Sequence, residues 1–135
     1  MASTPTASGG TLHDLLFQVA ACKPDQACLK EVTGKSTSYA EVAAAVQRCA
    51  THLAVLEDAE VVALVAWRSR GMVIALLGVL RAGKAYCPIE PDFPAARIAS
   101  MLETAAIAHA LVPVEQHPQA VLSGFADLAV LKVHA

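Results

Sequence analysis

The amino-acid sequence predicts an α/β fold, a Rossmann-like parallel sheet with flanking helices, and three observations predict it. Between residues 61 and 112, apolar runs of strand length alternate with segments of helical period, in the order strand, helix, strand, helix, strand. Of the 135 residues 56% are hydrophobic but only 4% aromatic, so the core must rest on Val, Leu, Ile and Ala. Aliphatic cores of this kind suit parallel sheets, whose strands are covered on both faces. A helix over 70–81 is apolar nearly all round, as an element buried on most sides should be. The connections in such a sheet are right-handed crossovers.

Each element has a local reason. Residues 1–10 are small and polar and read as a disordered lead, ahead of one domain over 11–135. Thr11 caps a helix over 12–21, which Lys23, Pro24 and Asp25 end. Residues 27–33 read as a strand, and Thr33 and Gly34 turn the chain back into 35–38, a hairpin. Ser38-Tyr39-Ala40-Glu41 is a capping box: hydroxyl and carboxylate each accept from the other residue's free backbone N–H. The helix it opens carries Val42, Val46, Cys49, Leu53 and Leu56 at spacings of four, three, four and three, a single apolar stripe.

An acidic link at 57–60 precedes a strand over 61–67. Ser69 then caps the helix over 70–81, inside which Gly78 permits close backbone approach. Ala82 and Gly83 end that helix, and 85–88 is a short strand. Pro91-Asp92-Phe93-Pro94 leads into a helix with Ile98, Met101, Leu102 and Ala105 on one face. A strand over 107–112, a helical turn near 118–122 and a strand over 128–133 complete the reading.

Composition excludes several classes. The formal net charge is −2 with no basic stripe, so no nucleic-acid partner is expected. Arg68-Ser69-Arg70 reads as a solvated strand-to-helix junction. The four cysteines, Cys22, Cys28, Cys49 and Cys87, contain no CxxC pair and read as reduced, mostly buried thiols of a cytoplasmic protein. The five histidines are dispersed, so no metal site is expected. The N-terminus has no apolar run of the secretory kind. The longest apolar stretch, 72–80 between Arg70 and Arg81, falls far short of the ~20 residues a membrane span needs.

None of the common catalytic motifs is complete. Gly34-Lys35-Ser36 resembles the end of a phosphate-binding loop, but Leu29 stands where that motif needs glycine, so a hairpin turn explains it. Neither a GxGxxG nor a GxSxG pattern occurs. Residues 68–70 put Arg, Ser and Arg where a phosphoacceptor domain would carry acids. Glu90 and Asp92 stand two apart and read as a solvated turn.

Two segments carry a family pattern. Thr37-Ser38-Tyr39-Ala40-Glu41-Val42 resembles the L-[TS]-Y-x-E-L element of adenylate-forming enzymes, with Thr37 and Val42 in place of leucines. Leu80-Arg81-Ala82-Gly83-Lys84-Ala85-Tyr86-Cys87-Pro88-Ile89-Glu90 resembles their L-[KR]-A-G-x-A-Y-x-P-[IL]-D element, with Glu90 for aspartate. It continues into Pro91, Pro94, Arg97 and Ile98, as in P-x-x-P-x-x-R-[IL]. The resemblance spans about 12–113 and is greater to the amino-acid-activating domains of nonribosomal peptide synthetases than to acyl-CoA synthetases.

The resemblance implies the N-terminal portion of the large domain of an AMP-dependent synthetase/ligase. A complete member makes an acyl-adenylate from ATP and a carboxylate, then passes the acyl group to a thiol. In that family a Ser/Thr/Gly-rich loop ending in Pro-Lys-Gly holds the phosphates, and a later domain supplies a catalytic lysine. Neither is found here, and neither Lys84 nor Lys132 stands at a position matching that lysine. The expectation is therefore an N-terminal fragment, inactive alone, with no catalytic, cofactor or metal residue of its own. ATP and Mg²⁺ are expected only for a complete member, and partners are expected to be the rest of an adenylating enzyme or a carrier domain. The alternative is a non-catalytic interaction module that docks on a fuller synthetase. Ser38, Tyr39, Glu41, Gly83, Tyr86, Pro88, Pro91, Pro94 and Arg97 read as scaffold residues, because local geometry explains them without a ligand. Parallel strands without their family neighbours would also leave open edges and a marginal, aggregation-prone chain.

Overall fold

The computed structural model describes residues 10–114, 125 and 128–133. The lead over 1–9 and the helical turn expected near 118–122 lie outside the described residues. The order is α1 (Leu12–Cys22), β1 (Ala27–Lys30), β2 (Ser36–Ser38), α2 (Tyr39–Ala54), β3 (Val61–Val65), α3 (Arg70–Arg81), β4 (Ala85–Ile89), α4 (Ala95–Thr104), β5 (His109–Pro113) and β6 (Ala129–Val133). β1 and β2 form an antiparallel hairpin, and β4-β3-β5-β6 form a sheet in which every neighbouring pair is parallel. No helix among the described residues is long and apolar enough to cross a membrane.

The strand period of two sorts β3 between two cores. Val62, Leu64 and Ala66 face the layer of α2 and α3, where they meet Cys49, Leu53, Ala75 and Val79. Ala63 and Val65 face the opposite layer, where Ile98 and Leu102 of α4 cover them with Ile89 and Val112. A third cluster, of Leu16, Val42, Ala45, Val46 and Ile74, fastens α1 to α2 and α3. The stripe read from the sequence is the buried face of α2: Val42, Val46, Cys49 and Leu53 are all buried, and Leu56 packs at its end. Leu16, in contrast, is the only buried residue of α1.

Helix starts follow the sequence. Thr11 accepts from the backbone N–H of Asp14, and the Asp14 carboxylate accepts from that of Thr11, a second capping box. Ser69 caps α3 by accepting from Met72 N–H at 3.1 Å. Strand ends depart from the reading for visible reasons. β1 stops at Lys30 rather than 33, because Glu31 C=O closes a turn with Gly34 N–H (2.9 Å) and leaves Val32 at the tip. β5 begins at His109 rather than 107, because Ile107 N–H is bonded to Leu102 C=O of α4. The expectation of mostly buried thiols needs correction as well. No disulfide joins the four cysteines, but only Cys49 is buried, since the other three sit at the margins of the packed layers.

Candidate functional site

The family-pattern residues fall in three places, and each has a backbone task. At the entry to α2, Ser38 N–H donates to Glu41 Oε2 and Glu41 N–H donates to Ser38 Oγ, both at 3.2 Å. Tyr39 N–H donates to Gln26 C=O (2.9 Å), tying the hairpin to the helix, while its side chain packs beside the α1–α2–α3 cluster.

The second place is the α3–β4 turn. Gly83 has φ +76°, its N–H bonds Leu80 C=O (3.0 Å) and Lys84 N–H bonds Val79 C=O (3.1 Å), a Schellman ending. Lys84 then reaches across to the link that follows α2, where its ammonium donates to the carbonyls of Leu56 and Ala59 at 2.6 Å each. Arg81, one turn earlier, lies 4.3 Å over the Phe17 ring, donates from Nε to Gln47 (3.3 Å) and stands 3.7 Å from Asp14. Two cations of one motif thus hold α1, α2 and α3 together.

The third place is β4 and the exit from its carboxyl end. Tyr86 sits opposite Val62 and Pro88 opposite Leu64 in the β3–β4 pairing. Among the described residues β4 is an edge strand, where a residue without an N–H is tolerated. Pro91 is buried, and Pro94 is the N-cap of α4, its carbonyl accepting from Arg97 and Ile98. Arg97 stacks over Phe93 at 4.1 Å. In open parallel sheets, ligand crevices form outside the carboxyl ends of the strands, where successive crossovers leave to opposite faces. Here that point lies between β3 and β5. Near it, Trp67 Nε1–H donates to Asp92 at 3.0 Å, joining the residues after β3 to those after β4.

The nine pattern residues therefore do not converge on one pocket. Ser38 and Glu41 serve a helix start, Gly83 a helix end, and Pro91 and Pro94 the exit from β4. Sequence reasoning missed Arg81, Lys84, Trp67 and Asp92 as contact-makers, because their hydrogen-bond partners lie 25 to 34 residues away and no local period announces them.

Three of the four thiols are shifted away from nucleophilic character. Burial pushes the thiols of Cys28 and Cys87 up and that of Cys49 to about 11, away from the thiolate an attacking sulfur needs. Hydrogen bonds from the Thr11 backbone and then its hydroxyl hold Asp14 below the ordinary carboxylate range, which serves a helix cap. Among the described residues, no group of three His, Cys, Asp or Glu could hold a metal ion.

Comparison with known proteins agrees with this geometry. Residues 16–134 match the family of AMP-binding enzymes. Tyrocidine synthase 3 of Brevibacillus parabrevis is 39% identical over 95 residues, which are 69% of this chain and 1% of that protein. The solved nonribosomal peptide synthetase FmoA3, in its α-methyl-L-serine-AMP-bound form, superposes with a TM-score of 0.81 at 26% identity, over 97% of this chain and 15% of its own. IdnL7 superposes with a TM-score of 0.78 at 28% identity, over 90% of this chain and 24% of its own. The chain thus spans only a small part of the relatives it matches. With the fold, the motif residues and these likenesses in agreement, the chain belongs to the AMP-binding enzyme family and resembles part of a nonribosomal peptide synthetase adenylation domain.

Proposed function

We propose that this chain is the N-terminal segment of an adenylating domain that, when complete, activates an amino acid with ATP to an acyl-adenylate for thioester formation. We also propose that the 135-residue polypeptide does not catalyse this step by itself. The observation that carries the reading is the stretch 80–98, whose family pattern coincides with the continuous α3–β4–α4 unit and meets its backbone demands at Gly83 and Pro94. A cytoplasmic place of action goes with it.

Adenylate formation needs a metal ion, donors that cradle the phosphates, and a cation for the charge on the transferring centre. The cations of the family-pattern stretch are engaged elsewhere and do not fit the phosphates of ATP. Lys84 is committed to two carbonyls, Arg81 to Gln47, Phe17 and Asp14, and Arg97 to Phe93. The sequence has no glycine-rich loop between a strand and a helix to offer converging N–H groups. What these residues do is hold helices to a sheet, so the nine pattern residues serve as scaffold. Amino-acid-dependent ATP–pyrophosphate exchange measured on the pure polypeptide is expected to stay at the level of a protein-free control. Exchange above that level with any amino acid would overturn the reading.

An interaction module is a second reading, favoured by the free edge of β6: among the described residues that strand pairs only with β5. It predicts a stoichiometric complex with a separate, fuller synthetase, which a pull-down with identification of the captured sequence distinguishes from an isolated fragment.

A further inference from the structure

The sheet is covered unevenly. On the α2–α3 side β3 lies under both helices, whereas toward β6 the cover thins and leaves a groove of about 520 Å³ between the second half of α2 and the β5–β6 pair. Leu53, Leu111, Leu131 and Val133 line it with apolar surface, and Leu131 remains partly open to solvent there. Its rim carries two cations, Arg48 on α2 and Lys132 on β6, with His52 beside Arg48 on the same exposed face of the helix. Among the described residues, no carboxylate lies in ion-pair contact with any of the three. Beside the groove, β6 offers a strand edge that no described residue pairs, with Val130 43% exposed. Apolar clefts and open edges of this kind are surfaces that proteins ordinarily cover.

We propose that this groove is the docking surface for the polypeptide that completes the adenylating domain. The proposal rests on the function proposed above and names the surface through which that function is assembled. The solved relative IdnL7 carries about three-quarters of its chain outside the part this chain matches, since the match covers 24% of it. FmoA3, at 15%, carries more. A body of that size packs against the matched part somewhere, and the groove beside the β6 edge offers it apolar surface and charge together. Charge specifies the occupant further. An apolar side chain enters between Leu53 and Leu131, and Asp or Glu residues flanking it meet Arg48 and Lys132.

Photo-crosslinking in the native host tests this. A benzophenone amino acid is placed at His52, on the rim, or at Glu103, an exposed position on α4 across the sheet, and crosslinked peptides are sequenced by mass spectrometry. The expected result is that His52 captures adenylating-domain peptides from beyond the region matched here. The double variant Arg48→Glu, Lys132→Glu should lower that yield about tenfold, as like charges are brought to face each other. Unchanged melting of the variant shows that its fold is intact. Adenylating-domain peptides at Glu103 but not at His52 would leave the function standing and overturn the groove. Capture of a second copy of this chain, or of an unrelated protein, at His52 would likewise overturn the groove. Silence at both positions, with no adenylating polypeptide associated, overturns both readings.

Discussion

Helices α3 and α4 end in the same backbone motif with different residues at the critical position. In α3 the left-handed residue is Gly83, at φ +76°, and in α4 it is Ala106, at φ +52°. The hydrogen bonds correspond one to one. Gly83 N–H reaches Leu80 C=O and Lys84 N–H reaches Val79 C=O, while Ala106 N–H reaches Glu103 C=O and Ile107 N–H reaches Leu102 C=O. The residues leaving the two turns differ. After Gly83 comes Lys84, whose ammonium clamps the link that follows α2, and after Ala106 comes Ile107, whose side chain joins Leu102 in the core beneath α4. A Schellman ending can therefore be fixed by a residue suited to its φ, or by an apolar contact strong enough to hold an unsuited one. Only the first leaves a mark in the sequence.

A third position separates conformation from space, and it should give the largest effect. Gly78 lies inside α3, where a Cβ would come within 2.5 Å of Cys49 Sγ and 2.7 Å of Cys49 Cβ on α2. The second contact is with an atom fixed to the neighbouring backbone, so the two helices must separate at a closely packed crossing. Gly78→Ala should cost about 1–3 kcal/mol in overpacking, against which alanine's better helix propensity returns about 1 kcal/mol. The net is a loss, read as a lower midpoint in urea. In a Cys49→Gly background the same change should be neutral or mildly stabilising, because both obstructing atoms are gone. Equal losses in the two backgrounds would show that the close approach is not the cause.

Gly83 should come next. A Cβ there meets nothing within 4 Å, so Gly83→Ala is governed by backbone conformation alone. The expected loss is about 1 kcal/mol, the lower end of what an L-residue gives up on entering the left-handed region. A loss well above that, with Lys84→Met costing as much, would instead mean that the turn acts mainly by aiming the lysine at Leu56 and Ala59.

This contrast also marks how much was legible. The starts of α2 and α3 and the end of α3 could be read directly, since Ser38, Glu41, Ser69 and Gly83 each answer a local backbone demand within four residues. The parallel sense of β3, β4 and β5, though not their order in the sheet, followed from alternating periods. Arg81 could not be placed, because its partners belong to α1 and α2, and the Trp67–Asp92 bond spans two loops. The groove beside β6 was hidden for the same reason, since its walls come from residues 48–53, 111 and 131–133. Ala106 was illegible in a stricter sense: its residue type argues against the conformation it adopts.

That makes Ala106 the position where the smallest effect is the most informative. Ala106→Gly relieves the left-handed strain in the folded state but loosens the unfolded chain, which gains conformational freedom. The two terms oppose each other, and the strain term is the larger for a residue held at positive φ, so a gain of somewhat less than about 1 kcal/mol is expected. The α4 hydrogen bonds stay as they are, and so does the Ile107–Leu102 contact, because neither involves the altered methyl group. The reciprocal pair then calibrates the comparison: the loss from Gly83→Ala and the gain from Ala106→Gly should be similar in size and opposite in sign. A destabilised Ala106→Gly would break the symmetry. It would mean that the methyl group is itself packed, or that α4 draws its ending from the stiffness of the chain entering β5 rather than from the Ile107 contact.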